Sequence, residues 1–287
     1  MAGRRRRASS LLAALIAAIG CGGPEDWATY GPGAAGKADD EPAAPAGEIA
    51  INTELKIFVA PAEQALAHRG LDLGRHDPLE REIAFYDTKD LKLYGAGLIL
   101  RTRDTKGEPD DSTVKWRPMN PTQVDPELFE HEGFKCEEDR TGTRSVISCS
   151  LTVEQGEHEI DDVAAGDRAI DKLFCRAQEK FARRYAGPEI ETYIDGDEGW
   201  PALEVLGPIP VRRWRLAPAM LDQVLTVEQW TLPDETVILE LSIKVPRPEA
   251  DNAQDTLRAF VAARGLDPDT PPTSKTRLAL NRLAHRL

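Results

Sequence analysis

The sequence predicts an α+β protein, built mainly of antiparallel strands that direct alternate charged side chains towards one shared polyanion site. Three observations predict it. Several segments alternate polar and apolar residues with period two. The polar positions of those segments are charged and mostly basic, with Arg at i and i+2 twice and Lys-x-Arg once. Helical periodicity occurs in only a few stretches set between the strands.

The strands follow in chain order. In residues 51–59, Ile51, Thr53, Leu55, Ile57 and Val59 share one face, while Asn52, Glu54 and Lys56 share the other. In 98–103, Leu98 and Leu100 oppose Arg101 and Arg103; in 113–117, Val114 and Trp116 oppose Lys115 and Arg117. In 211–216, Trp214 and Leu216 oppose Arg213 and Arg215. In 237–245, the face of Leu239, Leu241 and Ile243 opposes Glu240, Ser242 and Lys244. Residues 225–232 form a further strand of undefined orientation, because Glu228 and Trp230 share a face. Apolar residues at three- and four-residue spacing predict helices over 161–185, 252–264 and 274–287, the first ended by Gly187-Pro188 and the second by Gly265.

A charged strand face has two readings. It is a solvated outer surface, or it lines the interior of a barrel wide enough to stay unfilled. Arginines stacked along a face repel one another unless an anion lies between them, and five such strands in one chain favour the shared interior.

Composition bounds the class. The 287 residues are 41% hydrophobic and 30% charged, which suits a globular protein. A formal charge of −13 argues against nucleic acid as the main partner. Arg4 to Arg7 followed by a short apolar run ending at Gly20-Cys21 reads as a signal peptide over residues 1–20. The ending Ala18-Ile19-Gly20-Cys21 resembles a bacterial lipobox, with Cys21 lipidated and the chain exported and anchored to the cell envelope. Ordinary cleavage after an A-x-A-like site is the alternative. Residues 21–46 are rich in Gly, Ala, Pro, Asp and Glu and read as a tether, leaving 47–287 as one domain.

Export permits disulfides. Residues 134–153 read as a hairpin with Gly142-Thr143 at its tip, Gly suiting a position of positive φ. A two-residue loop there sets Cys136 opposite Cys149 at a non-hydrogen-bonded pair, where side chains come closest. A cross-strand disulfide is expected; two unpaired thiols facing one another are the alternative. Cys175 is expected to be free and buried. The histidines (His68, His76, His131, His158 and His285) show no ligand spacing and read as surface or structural residues.

The ordered set Tyr86-Asp87-Thr88, Leu91, Leu93, Gly97-Leu98, Leu100-Arg101-Thr102-Arg103 and Val114-Lys115-Trp116-Arg117 resembles the CYTH family, the triphosphate tunnel metalloenzymes. The similarity runs through residues 50–245, and Lys275 matches a late basic position. The resemblance implies an eight-stranded antiparallel tunnel-like β-barrel. It implies phosphate contacts from Lys56, Arg101, Arg103, Lys115, Arg117, Arg213, Arg215, Lys244 and Lys275. Arg suits that task through its bidentate fork and Lys as a point charge. It further implies Glu54, Glu240 and Asn52 around Mg²⁺ or Mn²⁺, with Glu54, Glu240 and Lys56 as catalytic groups.

Two departures stand out. Asn52 occupies the position of the family's first glutamate, and Ser242 that of a second glutamate on the late acidic strand. The expectation is therefore metal-dependent hydrolysis of tripolyphosphate or a related triphosphate, in a lining with many cations and two acids. The alternatives are a non-catalytic polyphosphate-binding lipoprotein with a degenerate metal site, or a barrel kept only as scaffold.

Overall fold

The computed structural model describes residues 51–194, 200–271 and 274–285. The signal peptide, Cys21 and the tether lie outside the described residues. The strands are β1 (Asn52–Val59), β2 (Leu79–Asp87), β3 (Leu98–Thr105), β4 (Asp111–Trp116), β5 (Phe134–Thr141), β6 (Arg144–Glu154), β7 (Glu204–Leu216), β8 (Leu225–Thr231) and β9 (Val237–Pro246). They close into a barrel in the order β1-β5-β6-β4-β3-β2-β7-β8-β9.

The expected eight antiparallel strands are corrected to nine in a mixed barrel. A ring with an odd number of strands cannot alternate direction throughout, so one neighbouring pair must be parallel. That pair is β1 and β5, which run side by side from Asn52 opposite Glu137 to Lys56 opposite Thr141.

Alternation places the strand faces as the sequence predicts. The odd residues of β1 and β9, including Leu55, Ile57, Leu239, Leu241 and Ile243, pack outward under α6 (Ala250–Ala262) against Leu257, Phe260 and Val261. Across the barrel, Leu98, Leu100, Val114, Trp116 and Leu151 pack outward against Phe181 of α4 (Arg176–Arg184) and Ile190 and Ile194 of α5 (Pro188–Ile194).

A third apolar cluster lies on the inner faces: Phe58, Ile83, Phe85, Ile99, Ile209, Val211, Trp230 and Ile238. Register shows why these share a side, since Ile83 faces Ile209, Arg81 faces Val211, and Trp230 faces both Val211 and Ile238. The C-terminal helix α7 (Lys275–Ala284), capped by the Ser274 side chain, sets Ala279, Leu280 and Leu283 against this cluster. The interior is thus part apolar and stoppered, not charged throughout. Trp230 and Glu228 both face inward, which settles the orientation of β8.

The single helix expected over 161–185 is broken into α3 (Glu159–Ala165), a 3₁₀ turn at Ile170–Leu173, and α4. Gly166 ends α3 in the left-handed region at φ 81°. Cys175 then caps α4 reciprocally with Gln178. As that cap Cys175 is free but only half-buried, short of the buried position expected. The remaining helices, α1 (Gln64–Gly70) and α2 (Lys92–Gly95), are short connectors.

The β5–β6 hairpin has the predicted register, with Thr141 opposite Arg144 across a Gly142 at φ 57°. Cys136 and Cys149 face each other in a disulfide with Cα atoms 4.0 Å apart, within the outer core. The bridge closes a short loop of the unfolded chain, so replacing both cysteines by serine is expected to cost about 2–4 kcal/mol. Urea unfolding should show the double variant melting at a clearly lower midpoint than the oxidised protein.

Candidate anion site inside the barrel

The charged residues of alternate strand positions line the interior beside the apolar cluster. Solvent reaches them: side chains of Arg103 and Lys115 are 23% exposed, Arg213 22%, and Glu54 and Glu228 21%. Nine strands open the interior beyond the width that side chains fill at eight.

One wall is a guanidinium cluster. Arg101 and Arg103 of β3 lie opposite Phe85 and Ile83 of β2, while Arg213 of β7 lies opposite Leu79. Arg81 of β2 joins them, with only 4% of its side chain exposed. Burial lowers the affinity of Arg81 for its proton, and Arg213 and Arg103 lower it further. Arg101 is pushed down to about 10 by burial and then by Arg103. Asp111 on β4 holds Arg103, with Nε donating to Oδ1 at 3.0 Å. The buried Nε atoms of Arg81, Arg101 and Arg213 have no hydrogen-bond partner. Buried charged donors left unsatisfied are costly.

The opposite wall is paired. Asp139 of β5 meets Lys56 at 2.6 Å, Lys115 at 3.4 Å and Arg117 at 3.6 Å. Burial would raise its pKa, but these three cations hold it far below the carboxylate range. Burial opposes the charge on Lys56, and Glu54, Asp139 and Glu240 overcome that to raise it well above its ordinary value. On Lys115 burial prevails over Asp139, and the pKa falls. Lys275 of α7 reaches Glu228 at 2.5 Å and Glu240 at 2.8 Å, and stands 4.7 Å over the Trp230 ring. Lys244 pairs with Glu137 at 2.6 Å; against the effect of burial, Lys135 and Lys244 draw Glu137 down to about 2. Arg215 is exposed on the same face as Arg213. A cavity of about 110 Å³ opens between Lys56, Arg117, Asp139, Glu240 and Lys275.

The structure therefore brings together Lys56, Arg101, Arg103, Lys115, Arg117, Arg213, Lys244 and Lys275, with Arg215 beside them. It corrects the expected balance of many cations against two acids, because Asp139, Glu228, Asp111 and Glu137 share the space. Asp139 is hidden in sequence by the run Glu137-Glu138-Asp139-Arg140, in which charge does not alternate. Arg81 is hidden by flanking Glu80 and Glu82, although Arg81, Ile83 and Phe85 do share a face.

The residues expected at a metal are arranged as follows. Glu54 accepts from the Ser242 hydroxyl at 3.1 Å and pairs with Lys56 at 3.2 Å. Glu240 is opposite Phe58 and is bound by Lys275, so Lys56 projects between the two glutamates. Asn52 is exposed and lies opposite Pro246, a step further out. Among the described residues, no group of three or more His, Cys, Asp or Glu side chains is placed to hold a metal. His68 bonds Gln229 at 2.9 Å, on the face of β8 opposite Glu228 and Trp230.

The Tyr-Asp-Thr motif is structural. Asp87 accepts from the backbone N–H groups of Thr88 at 2.7 Å, Leu93 at 2.9 Å and Tyr94 at 2.9 Å, fixing the turn into β3. Tyr86 bonds Thr102 at 2.9 Å, and burial pushes its hydroxyl up to about 12. Gly97, at φ 95°, lets its carbonyl accept from Arg117 N–H at 2.8 Å; a Cβ there would stand 2.6 Å from the Arg117 carbonyl. Only glycine admits that approach, and it seats Arg117 at the site.

Asp139→Asn leaves Lys56, Lys115 and Arg117 facing one another and is expected to lower stability at neutral pH, with added inorganic phosphate restoring part of the loss. The folded pKa of Asp139 is depressed, so its contribution is present above the unfolded value of about 4 and is lost as pH falls below it. Unfolding free energies of the two proteins should converge steadily from pH 5 to pH 2.

No protein-family model matches the chain, and neither does any curated relative. Solved structures do. A candidate adenylate cyclase from Bacillus halodurans superposes with a TM-score of 0.53 at 13% identity, over 79% of this chain and 96% of that one. The candidate adenylyl cyclase HpAC1 from Hippeastrum, described as having a dominant triphosphatase activity, gives a TM-score of 0.53 at 16% identity, over 79% and 94%. At these identities the likeness is one of fold, a closed barrel flanked by helices.

Proposed function

We propose that the barrel binds a linear triphosphate or polyphosphate and hydrolyses its phosphoanhydride bond. The observation that carries this reading is the set of unpartnered guanidinium Nε donors on Arg81, Arg101 and Arg213, buried together in a solvent-reached interior. An oxyanion between them would satisfy those donors and offset the burial and the Arg103 repulsion that lower Arg101. The triphosphatase activity of HpAC1 supports the substrate class.

On this reading Arg81, Arg101, Arg103 and Arg213 grip one end of the anion, while Lys56, Lys115, Arg117 and Lys275 exchange carboxylate partners for phosphate oxygens. Lys244 and Arg215 attract the anion from the rim. Glu54 and Glu240, with Asn52, would hold Mg²⁺ or Mn²⁺ only once Lys56 and Lys275 have turned from the two glutamates to phosphate oxygens. A divalent ion bound there would supply charge neutralisation on the phosphate oxygens. Lys56 would stabilise charge developing on the transferred phosphoryl group. The same reading has the protein exported and lipid-anchored through Cys21.

A second reading, a non-catalytic polyphosphate-binding lipoprotein, is favoured by Asn52 and Ser242 standing where carboxylates are expected and by Lys275 lying on Glu240. Titration calorimetry with tripolyphosphate should show binding that weakens with salt and falls roughly tenfold or more in Arg101→Met. Phosphate release from tripolyphosphate with Mg²⁺ or Mn²⁺, abolished in Glu54→Ala, separates hydrolysis from binding. Tight binding without release supports the second reading, and absence of binding removes both. In the hydrolytic case, Asn52→Glu with Ser242→Glu is expected to raise metal-dependent turnover.

A further inference from the structure

The guanidinium wall has one carboxylate that differs from the rest. Asp111 is set within the sheet opposite Arg103 and holds it through short contacts. Glu108 instead comes from the loop between β3 and β4, and its side chain is half exposed. Its Oε2 lies 3.4 Å from Arg213 Nη2 and 3.9 Å from Arg81 Nη2, so one oxygen is shared between two guanidiniums. Neither contact reaches the Nε atoms, which stay unpartnered.

The loop that carries Glu108 is held at both sides. Lys106 N–H donates to the Glu80 carbonyl at 3.1 Å, and Asp110 Oδ1 accepts from Thr105 N–H at 3.0 Å. Glu108 N–H closes a turn onto the Thr105 carbonyl at 3.2 Å, with Gly107 at φ 79°. The backbone thus aims the carboxylate across the barrel end onto β2 and β7, while the side chain itself can swing away at little cost.

We propose that Glu108 is a tethered competitor of the anion: it partly neutralises the Arg81–Arg213 pair in the free protein and must leave when a phosphoryl group binds. It then sets a threshold, because a ligand must offer those arginines more than one shared carboxylate oxygen. This rests on the phosphate reading proposed above.

The test compares tripolyphosphate and orthophosphate affinities of the wild type, Glu108→Gln and Glu80→Gln at low salt. Glu80 is an exposed carboxylate beside the same loop that pairs with Lys106 at 3.4 Å, so it controls for loss of one nearby negative charge. Glu108→Gln should tighten binding of both anions roughly three- to fivefold. Glu80→Gln should change either affinity less than about twofold. The gain from Glu108→Gln should vanish in an Arg213→Met background. Equal gains in the two glutamine variants, or none in Glu108→Gln while the wild type binds, would overturn the competitor and leave the phosphate reading standing. No binding by any of the proteins would overturn both.

Discussion

Like charges gathered inside a closed sheet repel one another unless opposite charge lies between them. This barrel gathers Lys56, Lys115 and Arg117 on one side and Arg81, Arg101, Arg103 and Arg213 on the other. Asp139 compensates the first group directly, with all three partners within 3.6 Å. The second group is compensated only in part, by Asp111, by a half-exposed Glu108, and by Glu228, which lies opposite Arg213 but is bound by Lys275. The difference between the walls is what gives the interior a direction: one wall is satisfied in the free protein, the other is not.

The surrounding architecture serves that imbalance. Helices cover the outer apolar faces, so the inner faces need supply only part of the core and can carry charge. The C-terminal helix closes the apolar part of the interior with Leu280 and Leu283, and at its first turn delivers Lys275 to Glu228 and Glu240. Gly97 and Asp87 hold the backbone on which Arg101, Arg103 and Arg117 depend, yet neither touches the proposed anion. The motif residues thus divide into those that shape the chain and those that present charge.

Much of the site is legible from period two alone, because neighbouring side chains on a strand must point to opposite faces. Arg101, Lys115 and Arg117 are visible for this reason, each next to Leu, Val or Trp, and Arg103 follows Arg101 across Thr102. Arg81 is not, since Glu80 and Glu82 flank it and a solvent-facing carboxylate looks the same in sequence as a lining arginine. Asp139 was lost within consecutive charges. The break at Gly166 is not legible in the sequence, because the apolar spacing continues on both sides of it.

The sequence by itself determined the strand faces, the Cys136–Cys149 pairing and the absence of a carboxylate at positions 52 and 242. These are local properties, set by alternation, by a two-residue turn and by side-chain identity. Only the tertiary structure decided which carboxylate meets which cation. Lys56 and Asp139 are 83 residues apart, and Lys275 and Glu228 are 47 apart. It likewise decided that nine strands close with one parallel pair, and that a helix stoppers part of the interior. Such features depend on distances across the closed barrel, and no local pattern encodes the order in which strands close.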